Sequence, residues 1–264
     1  MPVRNGFRIG NRRVTYTDTS LGRELNVKFN LNNTRSTTQA TNETSVTPVN
    51  NTYSLSRQSP INIKHPANFS IIQPIGFLDI QYKNETKLQA NINDSHGHVD
   101  FTTSNYDYIT SYNGYKYKLL QYHVHISAEH QINGKIYNAE VHFVHKDETS
   151  NEYLVIAIFL DSTIDNNVFD EAIYEAGIIT NINTTVSIDM SKLSDVFSSD
   201  YFTYAGSLTT DPFSADVTWV VFTQASGTSS EKTGNTSNAG TPRPIQTSIH
   251  PAEVLCFNSG NVVT

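Results

Sequence analysis

The chain runs to 264 residues, of which 37% are hydrophobic, and carries a net charge of −7. That length predicts one large domain with extensions and suffices to bury a sizeable core. No stretch approaches the roughly 18 apolar residues of a membrane helix, no glycine-rich phosphate loop or basic-aromatic interleaving points to nucleic acid, and a single cysteine, Cys256, rules out an intramolecular disulfide.

Residues 1–52 read as a polar N-terminal arm. Within residues 1–40, seven arginines and lysines stand against Asp18 and Glu24. A basic arm on an acidic body reads equally as an electrostatic docking segment, for a protein partner or a second copy of the chain, or as a solvated tail with incidental arginines. The opening MPVRNGFRIGNRR lacks the apolar stretch of a secretory signal. The chain therefore either stays where it is made or had a leader replaced by Met1. Its location is otherwise open, a larger particle such as a virion included. Residues 24–31, ELNVKFNL, alternate with Leu25, Val27, Phe29 and Leu31 on one face and predict a half-buried strand. Residues 32–52 are an Asn/Thr/Ser linker. The domain proper spans 53–250, with a C-terminal extension at 251–264.

From Tyr53 onward the pattern predicts mostly strands, at 71–82, 87–92, 98–103, 115–126, 136–146, 153–160, 184–189 and 216–223. One helix is expected over 165–176, with Asp165 as N-cap and Gly177 as stop. Residues 224–240, QASGTSSEKTGNTSNAG, read as a loop.

Chemistry concentrates between Gln121 and Asp147. Residues 121–126 and 137–145 alternate, and Asn133-Gly134 between them is a turn signal, so the stretch predicts a β-hairpin. On a strand, i and i+2 share a face. His123 and His125 therefore project together, as do Glu140 and His142. Three imidazoles from two paired strands can converge on a Zn2+, with a fourth position left for water. A lone strand-face histidine is more often a hydrogen-bonded core residue. Here Gln121 and Glu140, each two residues before a histidine, are of the type that accepts the other ring N–H of a ligand. His145 lies three residues past His142, at odd parity unless a bulge intervenes, and reads as structural.

These segments, QYHVH at 121–125, SAEH at 127–130 and AEVHFVHKD at 139–147, resemble the zinc-site motifs of the α-class carbonic anhydrases, particularly bacterial-type members. QSPINI at 58–63, GHV at 97–99, YFTYAGSLTTDP at 201–212 and VTWVVF at 217–222 extend the resemblance in the same order, with a weaker echo at Arg243-Pro244-Ile245-Gln246. The resemblance implies a mainly β (α+β) single domain built on a large, central, twisted, mostly antiparallel sheet of about ten strands. It implies reversible hydration of carbon dioxide to bicarbonate by a zinc-bound hydroxide. His123, His125 and His142 would hold the metal. Thr209 would accept from the hydroxide and pass its own proton to Glu129. Val144, Val155, Leu208 and Trp219 would form the apolar wall for carbon dioxide, with Thr210 beside them. His130 and Tyr204 would hydrogen-bond near Glu140, and His98 would carry the proton to solvent. His96, two residues earlier, reads as an ordinary surface histidine, with a second relay as the alternative.

The chain also departs from the family pattern. The N-terminal aromatic segment is missing, and Ala205 and Asp211 stand where prolines are common around the SLTT segment, which predicts a less rigid loop there. A protein that reuses this fold for binding or structure at a particle surface, with weak or no catalysis, is the alternative; the full set of histidines favours the enzyme.

Overall fold

A computed structural model describes residues 16–18, 23–25, 57–65, 70–72, 78–82, 85–93, 98–102, 109–147, 149–150, 152–164, 185–189, 193–228, 242–249 and 254–258. The strands in chain order are β1 (Tyr16–Asp18), β2 (Arg23–Leu25), β3 (Asn62–Ile63), β4 (Ser70–Ile72), β5 (Leu78–Gln81), β6 (Glu85–Asn93), β7 (His98–Thr102), β8 (Ile109–Tyr112) and β9 (Tyr115–His125). They continue with β10 (Gln131–Ile132), β11 (Ala139–Asp147), β12 (Tyr153–Asp161), β13 (Thr185–Asp189), β14 (Tyr201–Gly206), β15 (Val217–Phe222), β16 (Ser226–Gly227) and β17 (Leu255–Asn258). One helical turn, Ser194–Phe197, precedes β14.

Thirteen strands form one sheet, whose main path runs β13-β6-β7-β9-β11-β12-β15-β14-β17-β4. Its pairings are antiparallel except β12–β15, β12–β16 and β17–β4. The fold is thus mostly sheet with little helix, as the resemblance implies. The central strands are covered on both faces. Leu154, Ile156, Ile158 and Leu160 of β12 join one apolar cluster, and Val155, Ala157 and Phe159 join the other. Burial on both sides explains why YLVIAIFLD is a nearly continuous apolar run rather than an alternating one.

Several local expectations are corrected. The strand expected over 71–82 is two strands, β4 and β5, in different parts of the sheet. Asn133-Gly134 is a turn, with positive φ at both residues (51° and 82°). It closes only the small loop from Ile132 to Lys135, while β10 pairs in parallel with β3. The second long strand therefore begins at Ala139 rather than 136. Strands β8, β14 and β17 carried no strand expectation, and β17, within the segment read as an extension, pairs with both β14 and β4. In the arm, the strand expected over 24–31 is described only as β2, which pairs with β1 in a two-stranded sheet of its own. Residues 26–31, the helix expected over 165–176 and most of the loop at 224–240 lie outside the described residues.

Candidate metal centre

The β9–β11 ladder sets His142 directly opposite His123 and Glu140 opposite His125. Because facing residues of an antiparallel pair share a side, all four project from the same face of the sheet. The three imidazoles come together there. Their ring centroids lie 4.7–5.2 Å apart, and one nitrogen from each falls within 4.8 Å of the others. The three histidines are buried, His123 being the most accessible at 6% exposed. Across the next strand, Ala157 sits opposite His142, a small residue where a larger one would crowd the imidazole.

Among the described residues, hydrogen bonds orient the rings of His123 and His142. His123 donates from Nδ1 to Gln121 Oε1 at 2.9 Å, and His142 donates from Nε2 to Glu140 Oε1 at 2.8 Å. The tautomers this sets put the lone pairs on His123 Nε2 and His142 Nδ1. Glu140 also accepts from the His130 backbone N–H at 2.7 Å and from His130 Nδ1 at 2.6 Å. His130 Nε2 lies 2.6 Å from the Tyr204 hydroxyl, which donates to Ser59 Oγ at 2.9 Å. Burial works to raise the Glu140 carboxyl, but His130 and His142 outweigh it and hold the group well below its ordinary range. His130, Glu140 and His142 also cluster closely enough to suggest a second metal group. Their nitrogens and oxygens are instead spent on one another, so that cluster is a hydrogen-bond network.

Glu129 stands behind the histidines. Its Oε1 accepts the Arg243 backbone N–H at 2.8 Å, and its Oε2 lies 3.5 Å from His125 Nε2 and 3.9 Å from His142 Nδ1. Burial pushes the Glu129 carboxyl up to about 7, against the pull of His142, the Arg243 amide and the Thr209 hydroxyl. Oε2 is buried without a hydrogen-bond partner of ordinary geometry. Three imidazoles, two of them braced by acceptors, form a donor set that fits a divalent cation of the zinc type, with the Glu129 carboxyl behind them.

A cleft of about 210 Å³ opens onto this centre. Val144, Val155, Leu208, Thr209, Thr210 and Trp219 line it together with Gln121, His123 and His142. Register explains the apolar wall: Gln121 faces Val144, Val144 faces Val155, Val155 faces Trp219, and Trp219 faces Tyr204, one row across five strands. The same cleft contains Asp100, Leu120 and Tyr153, which sequence reasoning missed. Asp100 Oδ1 lies 3.9 Å from His123 Nδ1. Leu120 reaches the rim because it is the extra residue of a bulge, Val144 pairing with Gln121 and His145 with Leu119. His98 opens β7 opposite Asn93; its side chain and all of His96 lie outside the described residues.

His145 is not on the face of His142. It points to the opposite side, where it hydrogen-bonds with the Tyr82 hydroxyl through Nε2 and donates from Nδ1 to Leu154 O at 3.1 Å. The bulge lies in β9, not β11, so the parity of β11 is unbroken and His145 follows Phe143 into the other core.

The family model of eukaryotic-type carbonic anhydrases matches residues 29–243. A carbonic anhydrase of Nostoc sp. is 36% identical over 110 residues, which is 40% of either chain. Human carbonic anhydrase 7 is 31% identical over 189 residues, covering 62% of this chain and 70% of that one. Among solved structures, the α-carbonic anhydrase of Thermovibrio ammonificans bound to sulfanilamide superposes with a TM-score of 0.60 at 25% identity, covering 75% of this chain and 86% of that one. The chain spans less than half the length of the first curated relatives it matches, 40–48%.

Proposed function

The chain belongs to the eukaryotic-type carbonic anhydrase family, and from that premise we propose that it hydrates carbon dioxide reversibly on a Zn2+ held by His123, His125 and His142. The observation that carries this reading is the convergence of one nitrogen from each of the three histidines within 4.8 Å, braced by Gln121 and Glu140.

A zinc bound there supplies Lewis acidity, which lowers the pKa of water toward neutrality and provides a nucleophile at physiological pH. The chain's own residues do the rest. Thr209 would give its hydroxyl proton to Glu129, whose carboxyl its hydroxyl lowers, leaving its oxygen to accept a hydrogen bond from the reacting water and so orient it. Val144, Val155, Leu208 and Trp219 offer carbon dioxide an apolar surface beside the centre. Carbon dioxide and water become bicarbonate and one proton, and that proton must reach solvent in every turnover. His98, at the head of β7, is the proposed carrier, its ordinary pKa near ~6.5 matching the task.

The test is hydration measured on the parent, on protein stripped by a chelator, and after one equivalent of zinc is restored. Activity should vanish and return. A zinc-loaded parent that hydrates carbon dioxide no faster than buffer contradicts the reading. His98→Ala should slow hydration in weak buffer and recover partly with added imidazole; equal rates remove His98 from the role.

A further inference from the structure

In the loop after β14, Asp211 stands where a proline is common, yet the structure holds the loop tightly. Leu208 N–H donates to Ser214 O at 2.9 Å and Phe213 N–H to Thr210 O at 2.8 Å, closing the loop on itself. At its base, Trp219 Nε1 donates to Ser207 O at 3.0 Å and Ser59 N–H to Ser207 Oγ at 3.0 Å. Phe213 has φ of +56°, a left-handed conformation that costs a bulky residue energy. What that conformation achieves is a contact: the Arg243 guanidinium lies over the Phe213 ring, 3.7 Å from its centroid.

Arg243 is tied in two further directions. Its backbone N–H donates to Glu129 Oε1 at 2.8 Å, and its Nη1 donates to Ser59 O at 2.7 Å. One residue therefore touches the carboxylate beside the histidines, the segment at Ser59, and the tip of the loop that carries Thr209. We propose that Phe213 and Arg243 form a clasp that positions Thr209 against Glu129, and that both act as positioning residues for the hydration reaction. The clasp fastens the loop from outside, through a cation resting on an aromatic face. The role in hydration rests on the function proposed above; the clasp itself does not.

The test uses the full zinc-loaded chain with Phe213→Ala, Phe213→Leu, Phe213→Tyr, Arg243→Ala and the Phe213→Ala/Arg243→Ala double variant. Arg243→Ala keeps the backbone donor to Glu129 and removes only the guanidinium. Each alanine variant should lower kcat about tenfold with KM and zinc content unchanged. Phe213→Leu, which keeps volume without the π face, should fall with them. Phe213→Tyr should retain parental kcat, and the double variant should be no worse than either single one. Trp219 is the only tryptophan and donates into the base of this loop, so its emission reports the clasp independently of turnover. It should shift in the alanine variants and stay parental in Phe213→Tyr. Parental kcat and emission in Phe213→Ala and Arg243→Ala overturn the clasp, as does loss of zinc in step with activity, or equal losses in Phe213→Tyr and Phe213→Ala. Should the zinc-loaded parent fail to hydrate carbon dioxide, the functional reading falls, and the Trp219 emission still decides the clasp.

Discussion

At the scale of single residues, the centre depends less on the three histidines than on what holds them still. Glu140 is the hub, accepting from His142, His130 Nδ1 and the His130 amide at once. Glu140→Gln keeps the shape but removes the charge and one acceptor. Zinc affinity, measured by chelator competition, should fall by roughly 10–100-fold; an unchanged affinity would show that the network does not tune the ligands. On the opposite face, burial lowers His145 to about 4. Its folded pKa lies below the unfolded value near ~6.5, so the unfolded chain binds the proton more readily between the two. Stability is then fully present above pH ~6.5 and is lost as pH falls toward 4, by up to about 3 kcal/mol. His145→Gln should be less stable at pH 7, since Leu154 O loses its donor, but its stability should vary less between pH 6.5 and 4. Urea unfolding at stepped pH checks this; parallel curves for the two proteins would remove His145 as the source.

At the scale of elements, the β9–β11 ladder builds the site, and its one irregularity is Leu120. Deleting Leu120 leaves every other pair of that ladder in place and makes β9 regular. On the other side of β9, among the described residues, β7 pairs at Gln121 and Tyr122 and β8 from Tyr115 to Lys118, so none of these pairs involves Leu120. The shortened protein should fold, bind zinc with near-parental affinity and lose only the apolar rim of its cleft. Loss of zinc would show that the bulge aims the histidines. Local periodicity was enough to put His123 with His125 and Glu140 with His142, because i and i+2 need no knowledge of neighbours; that the two pairs share a face is set by the register of β9 against β11. The adjacent leucines of KLLQYHVH were the only hint of the bulge, and the pairing partner was needed to read them. Asp100 and Tyr153 reach the cleft through cross-strand neighbours, which no local pattern reports. Phe213 escaped notice because nothing in a phenylalanine announces a positive φ. Strands β8 and β17, four residues each, were too short for a periodic signal.

At the scale of the molecule, every residue proposed for the chemistry belongs to the large sheet or the loops that join it, whereas β1 and β2 pair only with each other among the described residues. No described helix is long and apolar enough to cross a membrane. A two-stranded ribbon is marginal alone, and we propose that this arm docks on another chain. Deleting residues 1–50 should leave zinc content and hydration intact while reducing assembly size in sedimentation; a truncated protein that aggregates or loses zinc would make the arm part of the fold. The central claim, that three histidines on two facing strands hold one zinc, is tested most directly by anomalous diffraction at the zinc edge on crystals of the metal-loaded protein. The account predicts a single peak with one nitrogen each of His123, His125 and His142 about 2.0–2.1 Å away. A peak between His130, Glu140 and His142, or none at all in a zinc-loaded crystal, would contradict it.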